Sequence, residues 1–144
     1  MLKHQHLILA LDCKFPLKDE EEAVAFLQFL IKRVDMNIAK NPTLLKNPMG
    51  YYCPSPGNEG VTAVGILETS HCAIHCWDSV FPSKVQFDLY SCKDFDIPFV
   101  IDLCNSFGIL GGSYMVIDRD SNLKVLDSGT LGENGIIDGK SNDK

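Results

Sequence analysis

The sequence predicts an α+β fold: a two-layer sandwich with one mostly antiparallel sheet and two helices on one face. Three observations lead there. Apolar β-rich runs stand at 7–11 and 60–67, and at 84–91 Val85, Phe87 and Leu89 alternate at period two with Gln86, Asp88 and Tyr90. Two other segments space their apolar residues as a helix does. The resulting order, β-α-β-β-β-α-β, fits one sheet covered by two helices, and 144 residues suffice to bury a core as one domain.

The elements follow in turn. Leu7 to Leu11 reads as a buried first strand ending at Asp12 and Cys13, and Pro16 breaks the chain. Asp19, Glu20, Glu21 and Glu22 make the acidic first turn that a helix N-terminus prefers. Val24, Leu27, Leu30, Ile31 and Val34 then recur at helical spacing, so a helix is expected over about residues 18–35. Residues 36–59 are left open: 36–39 fits a strand, and Pro42, Pro48, Gly50, Pro54, Pro56 and Gly57 punctuate a loop-rich stretch. Strands are expected over 60–68, 70–77 and 84–91, with a turn at 79–82.

A second helix is expected over 97–107, with Phe99, Val100, Leu103 and Phe107 on its apolar face. Gly111 and Gly112 are read as a turn into a last strand at 114–117. From about Ser121 the chain turns polar and glycine-rich. The domain is therefore expected to span 1–120, with 121–144 a disordered tail.

Composition narrows the function. A net charge of −6 with scattered lysines and arginines argues against a nucleic-acid surface. The apolar run at 7–11 is too short for a signal peptide or a membrane span, which points to a cytoplasmic protein. The six cysteines are then expected as free thiols. No metal site is expected: Cys72 and Cys76 have no second pair at ligand spacing, and His71 and His75 lack the glutamate of a helical zinc motif.

The segment Ser70-His71-Cys72-Ala73-Ile74-His75-Cys76-Trp77 concentrates reactive groups. A serine is a poor nucleophile until a neighbour takes its proton. His71 points to the opposite face of an extended chain, and His75, five residues on, is also out of phase with Ser70. From spacing alone, a catalytic serine and an ordinary strand with polar fillers are evenly balanced.

Several motifs in order tip that balance. The short prokaryotic S-adenosylmethionine decarboxylases show a G-V-S/T segment, a hydrophobic strand, E-S-H-x-x-I-H-T-W, and then D-x-F/Y-T/S-C. This chain resembles them through Gly60-Val61-Thr62, the run to Leu67, the segment from Thr69 to Trp77, and Asp88-Leu89-Tyr90-Ser91-Cys92. The spacing fits without gaps up to His75, and Cys92 requires a two-residue insertion. The resemblance covers roughly residues 4–118.

It implies a cofactor made from the chain itself. Ser70 becomes a pyruvoyl group when the chain cleaves between Thr69 and Ser70. Thr62 and His75 match the residues that assist this step: a hydroxyl to stabilise the cyclic intermediate and an imidazole to take the serine α-proton. The pyruvoyl carbonyl forms a Schiff base with a substrate amine and serves as an electron sink. Cys92 matches the proton donor of decarboxylation, and its plain alternative is a small buried hydrophobe. Tyr52, Trp77 and Asp78 match the substrate-binding positions, although Tyr and Trp are as often core residues. A homodimer acting on S-adenosylmethionine in polyamine (spermidine) synthesis is implied.

Three departures mark the chain as divergent. Thr69 stands where the family has glutamate, with Glu68 one place early. The family's W-P-E becomes Trp77-Asp78-Ser79. Residues 55–58 are inserted before Glu59 and Gly60. Two alternatives follow. One is the same chemistry on a basic amino acid such as ornithine or arginine, with Asp12 or Asp78 meeting its distal cation. The other is a non-processing homologue acting as a binding or regulatory subunit.

Overall fold

The computed structural model describes residues 3–141. It contains one eight-stranded antiparallel sheet and two helices, the α+β sandwich expected. The strands are β1 (Gln5–Cys13), β2 (Met49–Cys53), β3 (Gly60–Leu67), β4 (Ser70–Trp77), β5 (Ser83–Ser91), β6 (Ile109–Asp118), β7 (Val125–Gly132) and β8 (Gly135–Ser141). The helices are α1 (Glu20–Arg33) and α2 (Ile97–Leu103). Strand order across the sheet is β2-β3-β4-β5-β1-β6-β7-β8, so β1 lies between β5 and β6. No helix among the described residues is long and apolar enough to cross a membrane.

The alternation read from the sequence sorts the two faces. Leu7, Leu9, Leu11, Val61, Ala63, Cys72, Ile74, Cys76, Val85, Phe87 and Leu89 are buried towards the helices. Phe26 of α1 joins the layers, its ring 6.3 Å from Phe87 and 4.8 Å from Phe107. Asp19 caps α1 by accepting from Glu22 N at 2.8 Å, and Glu20 to Glu22 and Lys32 and Arg33 complement the helix dipole at its two ends. The opposite face carries no helix. Ile8, Val64, Ile66 and Met115 lie open on it beside Thr62, His71, His75 and Asp88.

The structure departs from expectation in five places, four of them small. Residues 49–53 form β2 despite the flanking prolines, because Met49 to Cys53 pair antiparallel with Val64 to Gly60. Residues 36–39 make no strand beyond one bridge from Ile38 to Leu67. Helix α2 stops at Leu103, and a 3₁₀ turn (Asn105–Phe107) ending at left-handed Gly108 completes the segment. Gly111 and Gly112 lie within β6: a Cβ at Gly112 would sit 2.4 Å from Ala10 O, so glycine here permits close strand approach beside the bulge opposite Asp12 and Cys13.

The tail is the largest departure. Residues 125–132 and 135–141 pair as β7 and β8 and extend the sheet from β6. Composition misled because this stretch is glycine-rich for packing: a Cβ at Gly129 would lie 2.1 Å from Asp138 O. Leu131 is buried, and the Tyr114 hydroxyl donates to Asp127 Oδ1 at 3.1 Å. Residues 142–144 of the expected tail lie outside the described residues.

Candidate active site

A tight hairpin places the central serine. Leu67 of β3 pairs with Ser70 of β4, leaving Glu68 and Thr69 as a two-residue turn. Thr69 takes a φ of 50°, a left-handed conformation that strains a β-branched residue by about 1–3 kcal/mol. Its carbonyl is the one that precedes Ser70.

The pairing of β4 with β5 brings Cys92 to the same point. Cys92 N donates to Ser70 Oγ at 3.2 Å, and Ser70 Oγ lies 3.7 Å from Cys92 Sγ as its donor. The Thr69 hydroxyl donates to the Glu68 carbonyl at 2.8 Å and lies 3.0 Å from Cys92 Sγ, a contact in which either group can donate. Hydrogen bonds from Thr69 and then Ser70 hold the half-buried Cys92 thiol below its ordinary range. Burial pushes Cys13, Cys72 and Cys76 up to about 12, and Cys104 higher still. All six cysteines are free thiols.

A cavity of about 150 Å³ opens beside Ser70 and Cys92, walled by Met36, Leu67, Glu68 and Lys93. Sites for drug-sized ligands usually occupy about 300–1,000 Å³. The uncleaved chain therefore offers room at this point for a small group and not for a whole nucleoside.

Thr62 and His75 form a separate pair. They stand opposite one another in β3 and β4, and Thr62 Oγ1 lies 2.8 Å from His75 Nδ1. Trp77 stacks near His75, with ring centroids 6.1 Å apart, and its Nε1 donates to Asn58 Oδ1 at 2.8 Å. This row is on the open face. His75 is five residues along β4 from Ser70, about 17 Å at the usual rise of a strand, and strand alternation puts the two on opposite faces. Within one chain the structure does not bring Thr62 and His75 to Ser70.

The three expected substrate positions also divide. Tyr52 is paired with Val61 on the helix side, and its hydroxyl donates to Asp78 Oδ1 at 3.2 Å. Desolvation and the neighbouring Asp78 carboxylate raise the Tyr52 hydroxyl above its ordinary value. Trp77 lies on the other face, so Tyr52 and Trp77 do not flank one space. Tyr51, opposite Thr62 and 64% exposed, is the β2 aromatic on the open face with His75 and Trp77. Sequence reading missed it because β2 was not recognised as a strand; its register was the missing signal. Asp12, the other carboxylate considered for a cationic substrate, lies at the far end of β1 and is paired with Lys84.

The family model of S-adenosylmethionine decarboxylase matches residues 5–119, four-fifths of the chain. The chain belongs to that family, whose members are decarboxylases that carry a pyruvoyl group. The match stops at the end of β6, so β7 and β8 lie beyond it. No curated protein matches the chain.

Proposed function

We propose that this chain is a self-processing, pyruvoyl-dependent decarboxylase of S-adenosylmethionine that serves polyamine synthesis. The observation that carries the reading is the Ser70–Cys92 contact at a turn strained at Thr69. Ser70 Oγ attacks the Thr69 carbonyl carbon, the peptide C–N bond breaks, and the chain is joined by an ester with a free Ser70 amine. Loss of the Ser70 α-proton then expels the Thr69 carboxylate, and hydrolysis of the resulting enamine releases ammonia and leaves the pyruvoyl group. Release of the left-handed Thr69 conformation favours the first step.

The residues present suit that group. Its parent serine heads a strand, and a thiol is already against it. When formed, the pyruvoyl group supplies an electron sink for the carbon that loses CO2. Cys92 then delivers a proton to that carbon, and the cut between Thr69 and Ser70 frees the turn and opens the small cavity to a larger substrate.

The Thr62–His75 pair assists only if it reaches Ser70 from elsewhere. In this reading the protein is a homodimer and each Ser70 meets Thr62 and His75 of the partner subunit. Ser70 is the first residue of β4, beside the turn at Glu68 and Thr69, so the partner's pair would reach it at this end of the sheet.

Intact mass under denaturing conditions tests the proposal. Fragments 1–69 and 70–144, the second lacking an N-terminal amine, are expected, and Ser70→Ala should abolish both. A chain that stays whole after long incubation would sink self-processing and favour the binding-subunit alternative. Release of CO2 from S-adenosylmethionine, set against ornithine and arginine, identifies the substrate.

A further inference from the structure

Tyr90 of β5 stands opposite His6 of β1 on one side and His71 of β4 on the other. Asp88, two residues along the same strand, shares their face and reaches between the two imidazoles. Its Oδ2 lies 2.8 Å from His6 Nε2 and 3.2 Å from His71 Nε2. Among the described residues, these three bring their ligand atoms within 4.8 Å of one another.

We propose that His6, His71 and Asp88 form a binding site for a divalent transition metal ion of the zinc class. Two imidazoles and one carboxylate suit such an ion better than magnesium or calcium, which favour oxygen. Tetrahedral zinc holds nitrogen and oxygen ligands about 3.3 Å apart, so the His71 contact with Asp88 already fits, the His6 contact needs to lengthen by about 0.5 Å, and the two imidazole nitrogens, within 4.8 Å of each other, need to take a similar spacing. Three neighbouring strands fix the ligands, which pre-organises the site. The His71 and Asp88 side chains are 40% and 27% exposed, so water has access to the remaining position.

One neighbour opposes loading. Arg119 places Nη1 3.4 Å from His6 Nδ1 and stacks its guanidinium 4.4 Å over the Tyr90 ring. A ligating histidine usually donates its other ring N–H to an acceptor. Here that nitrogen faces a donor, so a metal at Nε2 requires the exposed Arg119 to swing away. The site is thus expected to bind more tightly once Arg119 is removed.

The proposal is independent of the decarboxylase reading and is tested by binding alone. Metal-stripped full-length protein is titrated with Zn2+ by calorimetry and with Co2+ by visible absorption. One ion per chain is expected, with d–d bands and no sulfur-to-cobalt charge-transfer band. His6→Ala and Asp88→Asn should each weaken binding at least about tenfold, the scale on which even outer-shell changes act. Arg119→Gln should strengthen it, and this surface variant keeps the test open if Asp88→Asn fails to fold. No uptake by the wild-type chain would overturn the site. So would uptake unchanged by His6→Ala and Arg119→Gln, or a cobalt spectrum showing cysteine ligation.

Discussion

The two ends of β4 differ in what they hold. At its head, on the helix side, Ser70, Cys92 and strained Thr69 share one contact network. Towards its other end, on the open face, Thr62, His75 and Trp77 form a second group of contacts on the opposite side of the strand. Eight consecutive residues of sequence thus build two half-sites. A motif that is contiguous in the chain need not be contiguous in space, and the pleat of a strand is enough to divide it.

Mixing variants tests this division most directly. The His75→Ala chain alone is expected to stay whole, and so is Ser70→Ala. Co-expressed, the His75→Ala chain should be cleaved, because the Ser70→Ala partner supplies an intact imidazole. Rescue is read from the mass of the His75→Ala fragments, and its absence would place both halves in one subunit. Cys92→Ala sharpens the same comparison from the other side. Cleavage should persist, while CO2 release falls by about 10²–10⁴-fold, the usual range for a lost general acid.

Two smaller effects follow. Leu131→Ala, in a segment that composition assigns to a disordered tail, should destabilise the protein by about 2–5 kcal/mol in urea unfolding because Leu131 is buried. A disordered tail predicts no change. Finally, alkylation of Cys92 in the uncleaved chain should rise with pH and reach its midpoint below 9.0, the ordinary thiol value. Thr69→Val removes the larger of the hydrogen bonds that stabilise the thiolate, so the midpoint should move up. Mass mapping separates Cys92 from Cys53, whose thiol is also held low by hydrogen bonds from Ser55.

Much of the fold was legible because its signals are local. Period-two alternation located β5, an apolar β-rich run located β3, and the acidic turn from Asp19 to Glu22 located the start of α1. The strands that escaped notice owe their existence to partners. β2 follows from pairing with β3, and β7 and β8 from glycines that let backbones close on one another. The site divides in the same way. Ser70 and Cys92 were visible as motif positions and the register joins them. The opposite faces of Tyr52 and Trp77 depend on strand pairing, as does the meeting of His6, His71 and Asp88 from three strands.

The position of β1 bears on what a cut between Thr69 and Ser70 would create. The N-terminal piece would own β1, β2 and β3, and the C-terminal piece the other five strands. Because β1 is threaded between β5 and β6, and β3 lies against β4, three ladders would join the pieces. The mature protein would then be a complex of two interleaved polypeptides. Re-forming even one protomer from denaturant would be second order and would fail on dilution, whereas the uncut protomer would fold in a first-order step.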